Sequence, residues 1–216
     1  MISKFYPIFD SSLWLKKLIP GGIKFVQLRI KNQPKTKIRY EIQKAKLICD
    51  KYDAILVIND YWEMALEENC SFVHIGQEDL LSCDIKKLKL NSIKIGISTH
   101  DQDELETALS NSPDYIALGP IYPTILKKMK WGHQGVRKLT DWKKQIGEIP
   151  LVAIGGMTPE RSLEAFDAGA DIVSAVTDIT LNENPKNRNA KQTTEIRNAG
   201  KHSICFNNSS LQSSRR

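Results

Sequence analysis

Cationic side chains that could bind a diphosphate lie at the end of an early apolar segment of the sequence. Residues 27–31 read Gln-Leu-Arg-Ile-Lys, so that Gln27, Arg29 and Lys31 share one face of an extended chain. Two cations on a face that points into a cleft repel each other unless an anion binds between them and neutralises their charge. A diphosphate suits both, because arginine offers a planar fork of donors and lysine a mobile charge. A solvated strand end is the alternative interpretation.

Two carboxylates near these cations could hold a divalent metal ion. Asp60 ends the apolar segment 54–60, and the acids Glu78 and Asp79 follow segment 72–76 in the sequence Gly76-Gln77-Glu78-Asp79. Mg²⁺ binds to proteins through one or two carboxylates together with substrate phosphates. The pair therefore predicts a magnesium site, with a salt bridge or a helix cap as the alternative.

Later residues predict further anion contacts. Segment 94–99 ends with Ser98 and Thr99, and their hydroxyls suit phosphate binding or the cap of the next helix. Gly156 precedes a helix start at Thr158, where glycine allows close backbone approach and a helix N-terminus offers N–H donors. A plain tight turn is the alternative there. His74 lies within an apolar segment and is interpreted as a satisfied core histidine, whereas His100 has no orienting partner identifiable from sequence and is assigned no role.

Short apolar segments alternate with helical patterns along most of the chain. The segments, each typical of a strand buried on both faces, are 5–10, 25–30, 54–60, 72–76, 94–99, 115–120, 151–156 and 172–176. Helices are predicted over 11–19, 35–50 and 101–110 and from Thr158, with weaker patterns over 62–69, 83–90 and 139–146. This repetition predicts an α/β fold, a single-domain (β/α)8 TIM barrel. The competing open sheet expects a glycine-rich turn where Asp10-Ser11-Ser12 stands.

The C-terminal part has a different composition. We expect a barrel domain over 1–181, then a weak last helix and a polar, basic, disordered tail over 182–216. The helix expected near 186–199 lacks an apolar stripe, so either a partner covers that gap or the barrel is poorly closed there. Of the net charge of +6, residues 182–216 carry +5 from seven cations and two acids.

Composition excludes several classes. The near-neutral body predicts no nucleic-acid partner, and no apolar run approaches the roughly 20 residues of a membrane span. With 216 residues, 41% of them hydrophobic, the chain can bury one core. A start without a signal-peptide pattern predicts a cytoplasmic protein. Scattered cysteines make a zinc site unexpected.

Seven motifs in order give the chain a family resemblance over about residues 5–180. They are QLRIK (27–31), VIND with YW (57–62), VHIGQEDL (73–80), IGISTH (95–100), ALGPIYPT (117–124), VAIGG (152–156) and VSAV (173–176). With these motifs the sequence resembles the thiamine-phosphate synthase family. The resemblance implies a TIM barrel that joins 4-amino-2-methyl-5-(diphosphooxymethyl)pyrimidine to a thiazole phosphate, with or without a 2-carboxy group, releasing pyrophosphate and thiamine monophosphate.

The resemblance also implies the roles of individual residues. The pyrimidine diphosphate would be bound by Gln27, Arg29, Lys31, Asn59, Ser98 and Lys127. Mg²⁺ would be held by Asp60 and Asp79, and the thiazole phosphate by Thr124, Gly156, Val173 and Ser174. Arg29, Lys31 and Lys127 would be catalytic, because they stabilise the departing diphosphate.

One departure from the family pattern concerns the loop after the sixth strand. The family usually reads Thr-x-Thr-Lys there, whereas this chain reads Thr124-Ile125-Leu126-Lys127. Leu126 removes a hydroxyl expected near the thiazole phosphate, which would weaken binding without abolishing it. A related thiazole tautomerase and a non-catalytic thiamine-phosphate binder are the alternative functions. The number of subunits stays open, with a homo-oligomer among the alternatives.

Overall fold

Parallel strands in chain order form the centre of the structure, a computed structural model that describes residues 3–124 and 132–196. In these residues the strands are β1 (Ile8–Phe9), β2 (Phe25–Leu28), β3 (Ile55–Asn59), β4 (Phe72–Ile75), β5 (Lys94–Thr99), β6 (Tyr115–Leu118), β7 (Leu151–Ile154) and β8 (Ile172–Ser174). Each strand pairs with the next along the chain. The last strand also reaches the first, since Tyr6 N donates to Val173 O at 3.0 Å and Ile8 N to Ala175 O at 3.1 Å. The predicted closed barrel is confirmed, and the open sheet is excluded.

The first strand is shorter than predicted. The sequence indicated residues 5–10, but regular pairing covers only Ile8–Phe9, with an isolated bridge from Phe5 to Val173. Pro7 lies between these two parts and has no N–H to donate to a ladder. Its carbonyl still accepts from Gln27 N at 3.0 Å, so the segment stays in the barrel wall.

Helices connect the strands, mostly where the sequence predicted them. They are α1 (Ser12–Leu18), α2 (Lys35–Lys51), α3 (Trp62–Glu67), α4 (Gln77–Leu80), α5 (Ile85–Leu90), α6 (Gln102–Ser110), α7 (Arg137–Ile146), α8 (Pro159–Asp167), α9 (Thr177–Thr180) and α10 (185–196). The short helices α4 and α9 were not predicted, because one turn carries too little periodicity to detect. Across the described ranges, no helix has the length and apolar character that a membrane span requires.

The strands bury both faces, each in a different core. Inside the barrel lies a cluster of Tyr6, Phe25, Val57, Phe72, Tyr115, Ala117, Val152 and Ile172. Outside, alternate strand residues such as Leu28 pack with the helices in a second cluster. Because side chains alternate along a strand, Gln27 points inward above Phe25 while Leu28 points outward. The predicted assignment of faces in β2 is therefore confirmed.

The last helix differs from expectation. Although it lacks an apolar stripe, α10 forms over 185–196. Asn184 caps it, since its Oδ1 accepts from Asn187 N at 3.2 Å, and a proline occupies the first helical position. Arg188 binds Asp178 of α9 through two hydrogen bonds of 2.7 Å. Asn189 and Gln192 occupy buried positions that an apolar stripe would normally fill. Helix α10 therefore lies where the sequence left open a covering partner or a poorly closed barrel, and residues 197–216 lie outside the described part.

Candidate active site

A cavity of about 630 Å³ opens at the carboxyl ends of the strands. The structure places most of the predicted site residues on its wall, although they come from distant parts of the sequence. These are Gln27, Arg29, Lys31, Asn59, Asp60, Asp79, Ser98, Thr124, Gly156 and Ser174. Parallel strands deliver their final residues to one end of a barrel, which is why these positions meet.

One wall of the cavity, which we call the charged side, is built from Arg29, Lys31, Asp60 and Asp79 at the ends of β2, β3 and β4. Lys31 Nζ forms an ion pair with Asp60 Oδ2. Arg29 has no ion pair or hydrogen-bond partner for its guanidinium in the described ranges. On this wall Lys31 is therefore already paired, whereas Arg29 is available to an anion.

The two carboxylates of the charged side lie close together. Asp60 follows β3 in a left-handed conformation with φ of 65°, which aspartate tolerates better than most residues. Asp79 belongs to α4. Partial burial and the negative charge of Asp60 raise the pKa of the Asp79 carboxyl, while Lys31 opposes the shift. Two carboxylates in this arrangement favour a shared cation or proton.

Asn59 supplies an unused donor between the charged side and the barrel interior. The residue is 4% exposed, and its Nδ2 has no hydrogen-bond partner in the structure as described. A buried amide without a partner costs about 1–3 kcal/mol, which a ligand acceptor would recover. Asn59 is therefore placed to bind a polar group in the cavity.

The opposite wall, which we call the glycine side, is formed by Gly155, Gly156 and Ser174 after β7 and in β8. Gly156 has φ of 64°, and a Cβ there would lie 2.6 Å from Pro123 O. Ser174 is 1% exposed, and its Oγ lacks a partner among the residues described. Backbone and one hydroxyl, rather than charge, thus shape this wall.

Val173 does not line the cavity. Its side chain packs in the outer cluster. Its backbone is also engaged, since Val173 N donates to Lys4 O at 2.9 Å and its carbonyl accepts from Tyr6 N. Of the other predicted residues, Leu126 and Lys127 lie outside the described part of the chain.

Helix α8 begins next to the glycine side, but one of its terminal donors is already used. Thr158 Oγ1 accepts from Arg161 N at 3.3 Å, as its position at the predicted cap indicates. The short helix α9 follows β8 directly, and its Thr177 and Thr180 line the cavity. Sequence reasoning missed this second helix start at the site.

His74 is buried with both ring nitrogens hydrogen-bonded, which confirms its interpretation as a satisfied core histidine. Its Nδ1 lies 2.7 Å from Tyr115 Oη and its Nε2 2.7 Å from Ser98 Oγ. Burial lowers the pKa of His74 to about 4, although the charge of Asp60 opposes the shift. The imidazole is therefore neutral at pH 7. Unlike an ordinary core residue, it also reaches the cavity wall.

His100, for which no partner could be identified from sequence, has one in the structure. His100 Nδ1 lies 2.7 Å from Glu104 Oε2, and both residues line the cavity. The two are four residues apart, a spacing that places them together at the start of α6. That spacing is the signal that could have identified Glu104.

The fold and the site define the class of the protein: a (β/α)8 barrel with its polar residues gathered at the carboxyl ends of the strands, where enzymes of this architecture act. Across the described residues, no group of three or more histidine, cysteine, aspartate or glutamate side chains could hold a metal ion. A metal at Asp60 and Asp79 would therefore need further oxygen ligands from substrate or water.

Comparisons with known proteins identify the family. The thiamine monophosphate synthase family model matches residues 6–179. A thiamine-phosphate synthase of Rhizobium etli is 51% identical over 187 residues, 87% of this chain and 92% of that protein. One of Citrobacter koseri is 38% identical over 178 residues, 82% and 84% of the two chains. The solved structure of a thiamine phosphate pyrophosphorylase from Pyrococcus furiosus has a TM-score of 0.79 at 23% identity, over 91% of this chain and 96% of that one.

The chain belongs to the thiamine monophosphate synthase family. The resemblance stated from the motifs is thereby confirmed, as is the expectation of a transferase of thiamine monophosphate synthesis. The likeness to the Pyrococcus structure confirms the fold.

Proposed function

We propose that this chain joins 4-amino-2-methyl-5-(diphosphooxymethyl)pyrimidine to 4-methyl-5-(2-phosphoethyl)thiazole, or its 2-carboxy form, giving thiamine monophosphate and pyrophosphate. From the 2-carboxy form, CO2 is released as well. Its partners are these two small molecules. The observation that carries the proposal is the charged side, where Arg29 and Lys31 lie on the same cavity wall as Asp60 and Asp79. Cations that surround a carboxylate pair suit a metal-bound diphosphate better than a singly charged ligand.

The pyrimidine diphosphate is assigned to the charged side and the inner wall beside it. Arg29 is available to an anion, and Lys31 can exchange Asp60 for a phosphate oxygen. Asn59 contributes its unpaired donor, and Gln27 and Ser98 line the wall nearby. Lys127 is the remaining cation expected from the family resemblance, and it lies outside the described residues.

Asp60 and Asp79 fit a magnesium ion by their chemistry. They supply two carboxylates, the oxygen ligands that Mg²⁺ prefers. Burial and the negative charge of Asp60 raise the pKa of the Asp79 carboxyl, and a divalent cation bound there would offset both effects. Magnesium bound there would neutralise charge on the departing diphosphate.

The thiazole phosphate is assigned to the glycine side. The Ser174 hydroxyl is buried and unpaired in the described structure, so a phosphate oxygen would satisfy it. Gly156 brings backbone close to the cavity, and Thr124 lines the wall nearby. Val173 contributes no side chain to the cavity, so its role would be limited to holding Ser174 in place.

Catalysis in this cavity rests on separating charge. The bond between the pyrimidine methylene carbon and the diphosphate oxygen breaks first, since the aminopyrimidine spreads the positive charge that remains. The thiazole nitrogen then attacks that carbon. Arg29 and Lys31 hold the negative charge of the departing diphosphate at fixed positions. This route needs no protein nucleophile, because the leaving group departs before the new bond forms.

A pyrophosphate-release assay tests the proposal. With both substrates and Mg²⁺ we expect pyrophosphate and thiamine monophosphate in equal amounts, and little product when Mg²⁺ is removed. The two alternative functions give other results: a thiazole tautomerase would change the thiazole alone, and a non-catalytic binder would bind thiamine monophosphate without turnover. Either result would refute the proposed synthesis.

We also propose a cytoplasmic location. The support is chemical: Cys49, Cys70 and Cys83 are free thiols, and burial raises the pKa of the Cys49 thiol to about 12, which keeps it unreactive. Localisation of the tagged protein by microscopy or cell fractionation would test this, and recovery outside the cytoplasm would contradict it.

A further inference from the structure

A chain of hydrogen bonds crosses the barrel interior beneath the cavity. Gln27 Nε2 donates to Tyr6 Oη at 2.7 Å, and Tyr6 Oη lies 2.8 Å from Tyr115 Oη. Tyr115 Oη lies 2.7 Å from His74 Nδ1, and His74 Nε2 lies 2.7 Å from Ser98 Oγ. The two ends, Gln27 and Ser98, line the cavity. We call this chain the buried relay.

The buried relay has one direction. An amide nitrogen only donates, so the Tyr6 hydroxyl, which accepts from Gln27, must pass its own proton toward Tyr115. By the same reasoning Tyr115 donates onward to the next member of the relay. Each hydroxyl has a single proton, and therefore one fixed donor at the start sets the direction of every later bond.

The direction fixes the tautomer of His74 and the role of Ser98. His74 Nδ1 accepts from Tyr115, so the ring proton lies on Nε2 and is donated to Ser98 Oγ. Within residues 3–124 and 132–196, His74 is the sole hydrogen-bond partner of the Ser98 side chain. The Ser98 hydroxyl, having accepted from His74, keeps its own proton for a group in the cavity.

The packing holds this geometry rigid. Tyr6 and Tyr115 are buried within the inner aromatic cluster, where the Tyr6 ring stacks on Phe25 at 4.2 Å between centroids. Gly96 makes room for the Tyr115 ring, because a Cβ at that position would come within 2.0 Å of Tyr115 Cζ. Hydroxyls on rings that cannot turn away keep their partners, and a missing link would leave a buried polar group unpaired.

We infer that Tyr6, Tyr115 and His74 are positioning residues whose relay makes Ser98 a hydrogen-bond donor to an anion in the cavity. A relay running the other way would require Gln27 to present its oxygen to Tyr6, and would leave Ser98 with only lone pairs for the cavity. A lone pair repels a phosphate oxygen, whereas a hydroxyl proton binds it. The inference rests on the proposed function only for the identity of that anion, pyrophosphate.

The tautomer of His74 tests the relay without any catalytic assay. Side-chain ¹⁵N NMR of the full chain distinguishes a ring proton on Nε2 from one on Nδ1, and the loss of signals in His74→Gln assigns the residue. We expect the proton on Nε2. A proton on Nδ1 would overturn the inference, because the relay would then run from Ser98 toward Gln27.

A double-mutant cycle tests whether the relay acts through Ser98. Calorimetry with pyrophosphate and Mg²⁺ is expected to show a roughly tenfold weaker affinity in Tyr115→Phe and in Ser98→Ala. The double variant should bind no more weakly than Ser98→Ala alone. Losses that multiply, or an unchanged affinity in Tyr115→Phe, would overturn the inference.

The design includes a matched control and separates the two proposals. Tyr40→Phe removes the hydroxyl of an exposed tyrosine on α2 that does not line the cavity, and it should leave pyrophosphate affinity unchanged. If Tyr115→Phe fails to fold, the His74 tautomer measured on the unaltered chain still tests the direction of the buried relay. If the chain does not release pyrophosphate from its two substrates, the proposed function fails, while the tautomer and the cycle continue to test the relay.

Discussion

The charged side and the glycine side of the cavity solve the problem of anion binding differently. On the charged side, the groups proposed to bind the anion are charged side chains, two of which, Lys31 and Asp60, form an ion pair with each other. On the glycine side, the features proposed to bind the anion are a close-fitting backbone at Gly156 and the unpaired hydroxyl of Ser174. A binding site made of charges depends on pH, salt and metal, whereas one made of backbone depends on fit.

This difference matches the part that each ligand plays in the proposed reaction. A leaving diphosphate gains negative charge as its bond breaks. Its attraction to nearby cations therefore strengthens in the transition state, which lowers the barrier. A phosphate that only anchors its substrate keeps the same charge throughout the reaction. Backbone and hydroxyl groups that bind it equally strongly in the ground state and the transition state are sufficient for that purpose. Substitutions on the charged side should therefore affect turnover, and those on the glycine side should affect binding.

Removing both carboxylates of the charged side should have the largest effect. In Asp60→Asn with Asp79→Asn, we expect kcat/KM to fall by on the order of 10³-fold or more, since two charge-assisted contacts of about 2–3 kcal/mol each are lost. The pyrophosphate-release assay measures this. Asp103→Asn, at an exposed position of α6, serves as the control. Undiminished turnover in the double variant would contradict the metal assignment.

Neutralising the available cation of the charged side should have the next largest effect. Arg29→Gln should lower kcat/KM by roughly 30–150-fold, with kcat falling, because one charge-assisted contact of about 2–3 kcal/mol is lost. The salt dependence of kcat/KM should weaken as well. Lys16→Gln changes an exposed cation of α1 and should leave both values unaltered. A loss confined to KM would show that Arg29 anchors rather than catalyses.

On the glycine side, Gly156→Ala should affect binding instead. The residue adopts φ of 64°, and its new Cβ would meet Pro123 O at 2.6 Å, so the turn must shift. We expect KM for the thiazole phosphate to rise about tenfold with kcat nearly unchanged and no altered salt dependence. Gly132→Ala is the matched control, because a Cβ there meets nothing within 4 Å. A fall in kcat alone would remove the distinction between the two sides.

The smallest expected effect concerns stability. Partial burial and the charge of Asp60 raise the pKa of Asp79 in the folded protein. Ionised Asp79 therefore destabilises the metal-free fold at pH 7, and that cost disappears as the pH falls below its pKa. In the absence of metal, Asp79→Asn should raise Tm by a few degrees at pH 7 but not under acidic conditions where Asp79 is protonated. An equal gain in Tm at both pH values would contradict this account.

The barrel and most of the site could be predicted from the sequence for a physical reason. Strands buried on both faces leave continuous apolar runs, and the residue that ends each run must reach the same end of the barrel. That is why Asp60 could be placed beside the acids Glu78 and Asp79 from the pattern of apolar runs, whereas the choice of Asp79 came from the family resemblance.

Two features were missed, because neither shows in the apolar periodicity of the sequence. The bond between Tyr6 and Tyr115 joins residues 109 positions apart, and nothing in either segment indicates the other. Helix α10 was expected to be weak because it lacks an apolar stripe. The helix nevertheless forms, with Asn184 as its cap and an ion pair between its Arg188 and Asp178 of α9. Periodicity detects apolar burial and is insensitive to polar contacts of this kind.

The central claim is that Asp60, Asp79 and the cations beside them act as one metal-dependent diphosphate site. The most direct test is calorimetric titration of the protein with pyrophosphate, with and without Mg²⁺. Magnesium should tighten pyrophosphate binding at least tenfold, and pyrophosphate should tighten magnesium binding by the same factor, since the coupling is reciprocal. In Asp60→Asn with Asp79→Asn the coupling should vanish. Equal pyrophosphate affinity with and without Mg²⁺ in the unaltered protein would contradict the account.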